Sequence, residues 1–191
     1  EFDEITLTLL NSPYIIQTTL EVPENKTLTI EPGVVIKFSG NNSGLIVMGT
    51  LKAIGETNNE IIFTSFYDDE YGGDTNNDGN TTFPVPGSWD QIYFGPTSAD
   101  SEMINVIVRY GGGRYIVETA CPWQNAGVRV DQASIVLENS IIEHNKRKGV
   151  WLNNSSSKIE NVQFIGQIPC EAFYKYEGTG LAIDGGDSIV R

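Results

Sequence analysis

Apolar residues fall in short runs broken by Gly, Asn, Asp and Ser, and no stretch keeps the 3.6-residue period of an amphipathic helix. Leu28-Thr29-Ile30, Val34-Val35-Ile36-Lys37-Phe38, Leu45-Ile46-Val47, Glu60-Ile61-Ile62-Phe63 and Gln91-Ile92-Tyr93-Phe94 are rich in β-branched and aromatic residues, the composition of strands. The second half superposes on itself with a period of about 22 residues, within the range of solenoid repeats. Gly127-Val128-Arg129-Val130 recurs one period later as Gly149-Val150-Trp151-Leu152, and Leu137-Glu138-Asn139 recurs at the same distance as Ile159-Glu160-Asn161. A third copy opens at Gly180-Leu181-Ala182-Ile183, separated from Gly149 by one period plus an insertion of nine. Asn105-Val106-Ile107-Val108 precedes Asn139-Ser140-Ile141-Ile142 by one period plus an insertion of twelve.

Three short strands per repeat of this length predict an all-β parallel solenoid, a β-helix with coils of about 22 residues and long loop insertions. One coil cannot close a core. Stacking coils about 4.8 Å apart puts equivalent residues in columns and joins their inward apolar side chains into one interior. Asn105, Asn139 and Asn161 then share a column beside a turn, where their amides satisfy backbone groups that a sharp corner leaves unpaired. An antiparallel sandwich gives no reason for equivalent residues at a fixed spacing. Residues 2–10, apolar at Ile5, Leu7 and Leu9, are expected to form an N-terminal covering strand, because an open coil is an unpaired edge.

Ser12-Pro13-Tyr14-Ile15, the run Thr27–Phe38 with its Glu31-Pro32-Gly33, Gly49-Thr50-Leu51-Lys52-Ala53-Ile54-Gly55 and Ile61-Ile62-Phe63-Thr64-Ser65 carry a family resemblance. They resemble the opening coils of right-handed parallel β-helix repeat proteins of the pectin-lyase-like superfamily, in the form found on large microbial exported and surface proteins. The similarity continues through Gly72-Gly73-Asp74 and Gly87-Ser88-Trp89 to Arg109-Tyr110-Gly111-Gly112. It implies a right-handed helix over residues 1–191 as one domain, and an extracellular or cell-surface location. It does not select a function, because this fold carries lyases, hydrolases, adhesins and passive stalks alike.

Composition narrows the partners. Lys plus Arg number 12 against 25 Asp plus Glu, a formal charge of −13. A surface this acidic repels phosphate backbones, which excludes nucleic acid, and disfavours an anionic membrane. No apolar run approaches the roughly 18 residues a helical membrane span needs. One His and two Cys leave little for a His- or Cys-built metal site or a Ser/His/Asp triad. Glu1 and Phe2 carry neither an initiator Met nor a leader, so a removed leader or an internal start is expected. At the other end Ser188-Ile189-Val190 matches the beginning of Ser134-Ile135-Val136 and stops before the next Leu-x-Asn. That predicts a fragment of a longer helix, or an end covered by a further coil or a partner.

The strongest chemical signal is Asp74-Thr75-Asn76-Asn77-Asp78-Gly79, which fits D-x-N-x-D-G, the first half of a calcium loop. Alternate oxygen ligands converge on a hard cation there, and the glycine permits the turn. The Glu expected at the twelfth position is replaced by Val85, so a carboxylate must come from Asp68, Asp69 or Glu70, just upstream, or from Asp90 after the loop, with Asp68 and Asp69 the candidates to complete the set. The expectation is that Ca²⁺ bound by Asp74, Asn76, Asp78, Asp68 and Asp69 pins an insertion spanning residues 66–90, against the plainer alternative of a solvated Asn/Asp turn. Asp131, Asn153 and Asp184 each follow an equivalent strand. Stacked, the two Asp residues would lie about 9–10 Å apart, two strand spacings, near the roughly 6.5–9.5 Å of an inverting carboxylate pair. Turn-forming residues in these places are equally ordinary, so Asp131 and Asp184 are weak catalytic candidates. The resemblance also admits a calcium-assisted eliminase, for which Arg109, Arg114 and Arg129 supply bases without a motif selecting one. His144 with Lys146-Arg147-Lys148 falls in a turn and reads as a solvated corner.

Tyr67, Tyr71, Trp89, Tyr93, Tyr110, Tyr115, Trp123, Trp151, Tyr174 and Tyr176 include several in loops or at strand edges, where flat rings stack on sugars, and Tyr115, Trp123 and Trp151 are the candidate binding aromatics. Alternation points Trp151 outward, where it either forms a binding surface or meets an insertion. Cys121 and Cys170 lie in insertions that leave the same corner, which favours a disulfide over two buried thiols. Closing a loop of about 50 residues would stabilise the fold by roughly 3–4 kcal/mol in the chain-entropy model. The expected function is a non-catalytic, calcium-stabilised surface, adhesion or carbohydrate-binding module whose partner is a polysaccharide or another surface protein. The alternative is a polysaccharide lyase or glycoside hydrolase.

Overall fold

The computed structural model describes residues 4–113, 125–169 and 178–191; Arg114, Tyr115, Cys121, Trp123 and Cys170 lie outside the described residues. The chain is all-β, and every pairing between its strands is parallel. Sheet A holds Glu4–Leu7, Thr27–Ile30, Thr50–Ile54, Ser101–Ile104, Ile135–Glu138, Lys158–Glu160 and Ile189–Val190, in that spatial order. Sheet B holds Tyr14–Ile16, Val35–Phe38, Ile61–Ser65, Val106–Arg109, Ile141–Glu143 and Gln163–Ile165. Sheet C holds Leu20–Val22, Leu45–Val47, Ile92–Phe94, Ala126–Asp131, Lys148–Asn153 and Thr179–Asp184. Successive strands visit A, B and C in turn, a winding consistent with a parallel β-helix.

The repeats seen in the sequence are the ladder registers. Val128 pairs with Val150 and Val150 with Leu181; Leu137 pairs with Ile159 and Ile107 with Ile141. Because side chains alternate along a strand, register delivers one inward set per strand to a shared interior. Ile36, Phe38, Leu45, Val47, Leu51, Ala53, Phe63, Phe94, Val108, Val130 and Leu152 belong to one continuous buried cluster.

The corner between sheets A and B requires left-handed backbone, and asparagine supplies it. Asn105, Asn139 and Asn161 have φ of 48°, 50° and 51°. The Asn161 amide donates to Asn139 Oδ1 at 2.8 Å, and that of Asn105 donates to the Gly55 carbonyl at 3.0 Å. Buried serines stitch coil to coil in a way the repeat pattern does not reveal. Ser101 Oγ accepts from the Leu51 amide, Ser157 Oγ from Ile135, and Ser140 Oγ from Val106, at 3.0–3.1 Å.

Two expectations are corrected. Among the described residues, the N-terminal segment does not cover the end of the coil stack. Glu4–Leu7 pairs in parallel with Thr27–Ile30 as the first rung of sheet A, leaving Ile5 exposed, and Leu10 is 92% exposed on a short 3₁₀ turn. Trp89, grouped by sequence with the loop aromatics, is fully buried. It stacks on Phe38 with centroids 4.3 Å apart, and its indole N–H donates to the Arg109 carbonyl at 2.8 Å.

The asparagine corner yields a test. Asn105→Val forces a β-branched residue into left-handed backbone and removes one hydrogen bond, at a cost of about 2–3 kcal/mol in urea unfolding. Asn105→Gly recovers most of that loss; equal stability of the Val variant and wild type contradicts the assignment.

Candidate functional site

The outer face of sheet B is covered over its central strands, while Ile15 and Ile165 at its two ends stay exposed. Val35, Ile62, Ile107 and Ile141 form an outward apolar row in register, and Tyr71 of the 66–90 insertion packs on it. Two residues further along, Lys37 is in register with Thr64, and Arg109 with Glu143. Both cations are buried and both reach the insertion. Lys37 Nζ donates to the carbonyls of Asp68 at 2.7 Å and Gly73 at 2.5 Å, and to Thr75 Oγ1 at 3.1 Å. Arg109 pairs with Glu70 at 2.8 Å, Glu143 at 3.2 Å and Asp68 at 3.6 Å, and its guanidinium lies 5.1 and 4.7 Å from the rings of Tyr71 and Tyr110. Burial lowers the Lys37 pKa against the opposing pull of Asp68, Asp69 and Asp74. Burial also works to lower that of Arg109, but Asp68, Tyr110, Glu70 and Glu143 together outweigh it and raise it.

Above these cations the insertion gathers carboxylates. One oxygen from each of Asp69, Asp74 and Asp78 lies within 4.8 Å of the other two. Asp74 accepts from the amides of Asp78 and Gly79 at 3.2 and 2.9 Å. Asp78 accepts from the Thr82 hydroxyl and from the Asn76 amide at 2.8 Å, and these bonds, that of Thr82 foremost, hold its carboxyl below the usual range. Asp69 Oδ1 and Asn76 Oδ1 are buried without a hydrogen-bond partner. Asp68 departs from the expected ligand set. Its carboxylate accepts from Thr64 Oγ1 and faces Arg109, so adjacent aspartates serve opposite sides of the strap.

The outer face of sheet C carries the other sequence candidates. Tyr93, Arg129 and Trp151 are in register, as are Asp131, Asn153 and Asp184. Arg129 lies 5.3 Å from the Tyr93 ring and 4.8 Å from that of Trp151, while Lys148 Nζ lies 4.4 Å from the Trp151 ring. The Trp151 indole donates to Asp184 Oδ2 at 2.6 Å; Arg129 binds Asp131, which also accepts from the Asn153 amide at 3.2 Å. Trp151 therefore points away from the core as alternation requires, yet is only 1% exposed. It is covered, and a ring so covered offers no platform to a sugar. Asp131 and Asp184 are stacked as expected, with Asn153 between them, and both are engaged by neighbouring side chains. Desolvation, with Arg147 and Arg129 nearby, brings the Lys148 pKa down to about 8 despite Asp184.

The basic corner is less solvated than its composition suggests: the His144 ring stacks on Tyr110 with centroids 5.8 Å apart. Sheet A carries an open groove of about 890 Å³ whose lining includes Lys52, Glu102, Gln132, Ser134, Val136 and Lys158. Among the described residues no helix is long and apolar enough to cross a membrane.

A 65-residue stretch, 34% of this chain, is 38% identical to Protein bark beetle of Drosophila melanogaster, and it spans 2% of the length of that protein. No family model and no solved structure matches the chain.

The charged face of sheet C predicts a pH dependence. Lys148 loses its proton near pH 8 when folded but near 10.5 when unfolded, so the unfolded chain binds more protons between those values. This group's contribution therefore raises stability from about pH 8 to 10. In thermal melts, the difference between Lys148→Met and wild type shifts in favour of wild type as pH rises through that window; a pH-independent difference contradicts the assignment.

Proposed function

We propose that this chain is a right-handed parallel β-helix segment, with coils of about 22 residues, of a longer exported or cell-surface protein, and that it serves as a non-catalytic, calcium-stabilised binding module. The observation that carries the reading is the convergence of Asp69, Asp74 and Asp78 within one insertion. Three carboxylates and the Asn76 amide oxygen offer the all-oxygen donor set a hard cation takes. Two of the candidate oxygens, Asp69 Oδ1 and Asn76 Oδ1, are buried without another partner, a costly state that a bound cation relieves. The ion's work is to fix the insertion's outer turn.

Binding rather than turnover is favoured by the state of the stacked carboxylates. Asp131 is tied to Arg129 and Asn153, and Asp184 to Trp151, so neither is poised to exchange a proton with a substrate. With Trp151 covered, a surface among the described residues suited to a polysaccharide is the groove on sheet A, whose Ser, Gln, Lys and Glu side chains match hydroxyl-rich ligands.

The test is calcium titration followed by thermal melting. At a hundredfold excess over Kd a single site adds about 2.7 kcal/mol, and Asp74→Ala and Asp78→Ala each abolish the gain. A glycan screen of the calcium-loaded protein then compares wild type with Val136→Arg, which fills the groove floor; binding is lost in the variant with no change in melting. An unchanged melt on adding calcium to wild type sinks the cation reading, and chain shortening of any bound glycan sinks the non-catalytic one.

A further inference from the structure

Lys37 has no role in a calcium site, yet it is among the largest fully buried side chains of the molecule. Its ammonium offers three N–H donors, and three oxygens of the insertion receive them: the carbonyls of Asp68 and Gly73 and the Thr75 hydroxyl. Gly73 and Thr75 flank Asp74, so the charge sits against the backbone that carries the central carboxylate. The backbone accommodates it closely. Gly72 has φ +72°, and a Cβ there would come within 3.3 Å of Lys37 Cε and 3.1 Å of Pro13.

Charge balance explains why a lysine belongs there. Residues 68–78 contribute Asp68, Asp69, Glu70, Asp74 and Asp78 and no basic residue. Carboxylates held this close repel one another, increasingly as water is excluded. Arg109 answers Asp68 and Glu70, leaving Asp69, Asp74 and Asp78. Lys37 is the buried cation beneath that remainder, supplied by the sheet.

We infer that Lys37 is the resident cation of the insertion, seating residues 68–75 on sheet B whether or not a metal is bound. This goes beyond the calcium reading and does not depend on it. The ion secures the outer turn; the lysine secures the strap to the coil, and a metal arrives at carboxylates already assembled.

The experiment is hydrogen exchange and limited proteolysis in excess chelator. Wild type is expected to keep its 68–75 amides protected and to resist cleavage between residues 66 and 90. Lys37→Met is expected to be cleaved there at least tenfold faster, with the far-ultraviolet spectrum of the coils retained. Should that variant not fold, Thr75→Val, which removes one acceptor and keeps the charge, decides: an intermediate cleavage rate in chelator is expected, and a strap as resistant as wild type overturns the inference. Free exchange of the wild-type strap in chelator, or a Lys37→Met strap as resistant as wild type, overturns the inference. Neither result bears on the calcium reading, which is tested separately by the response of the melting temperature to calcium in wild type and in Asp74→Ala and Asp78→Ala.

Discussion

In-register parallel pairing is the constraint on which everything else in this molecule depends. Each strand bonds to the equivalent strand one coil away, so a residue type chosen once is repeated or answered at the same place on the next coil. Inside, this makes the continuous apolar column of Ile36, Phe63, Val108 and Ile142. At the corner it places Asn139 and Asn161 where one amide reaches the next. Outside, it aligns side chains that must be either wetted or covered.

The three outer faces answer that requirement differently. Sheet A stays open, with paired charges such as Lys52 and Glu102 at 3.0 Å across neighbouring strands. Sheet B aligns an apolar row beside a charged one, and the insertion covers both: Tyr71 lies on the former, while Lys37 and Arg109 bind the strap from the latter. A buried cation is costly unless it is paired, and the strap supplies partners to both: carbonyls and a hydroxyl to Lys37, carboxylates to Arg109. Sheet C stacks Tyr93, Arg129 and Trp151 into an alternation of rings and cation.

The parallel pairing of equivalent strands was legible because the repeat appears twice without interruption, from Gly127 to Gly149 and from Leu137 to Ile159. The runs Val34–Phe38, apolar except for Lys37, and Ile61–Phe63 also carried the sign of strands buried on both faces, although what covers them cannot be read from a run. The aspartates of the insertion were legible as a group, but not their division. Asp68 and Asp69 are neighbours in sequence, and only the strap's path over sheet B sends one to Arg109 and the other to Asp74 and Asp78. Trp151 was placed on the correct side of its strand by alternation; its cover comes from tertiary packing, which alternation does not encode. Lys37 gave no signal beyond a charged residue inside a hydrophobic run, and a polar interruption of that kind, within a strand otherwise buried on both faces, marks where another segment must dock.

The most direct measurement is a crystal structure grown in the presence of chelator. The account predicts residues 68–75 lying on the outer face of sheet B, with Lys37 Nζ bonded to the Gly73 carbonyl and Tyr71 over Val35, Ile62 and Ile107. A Lys37 side chain turned to solvent, with that apolar row uncovered, would contradict it.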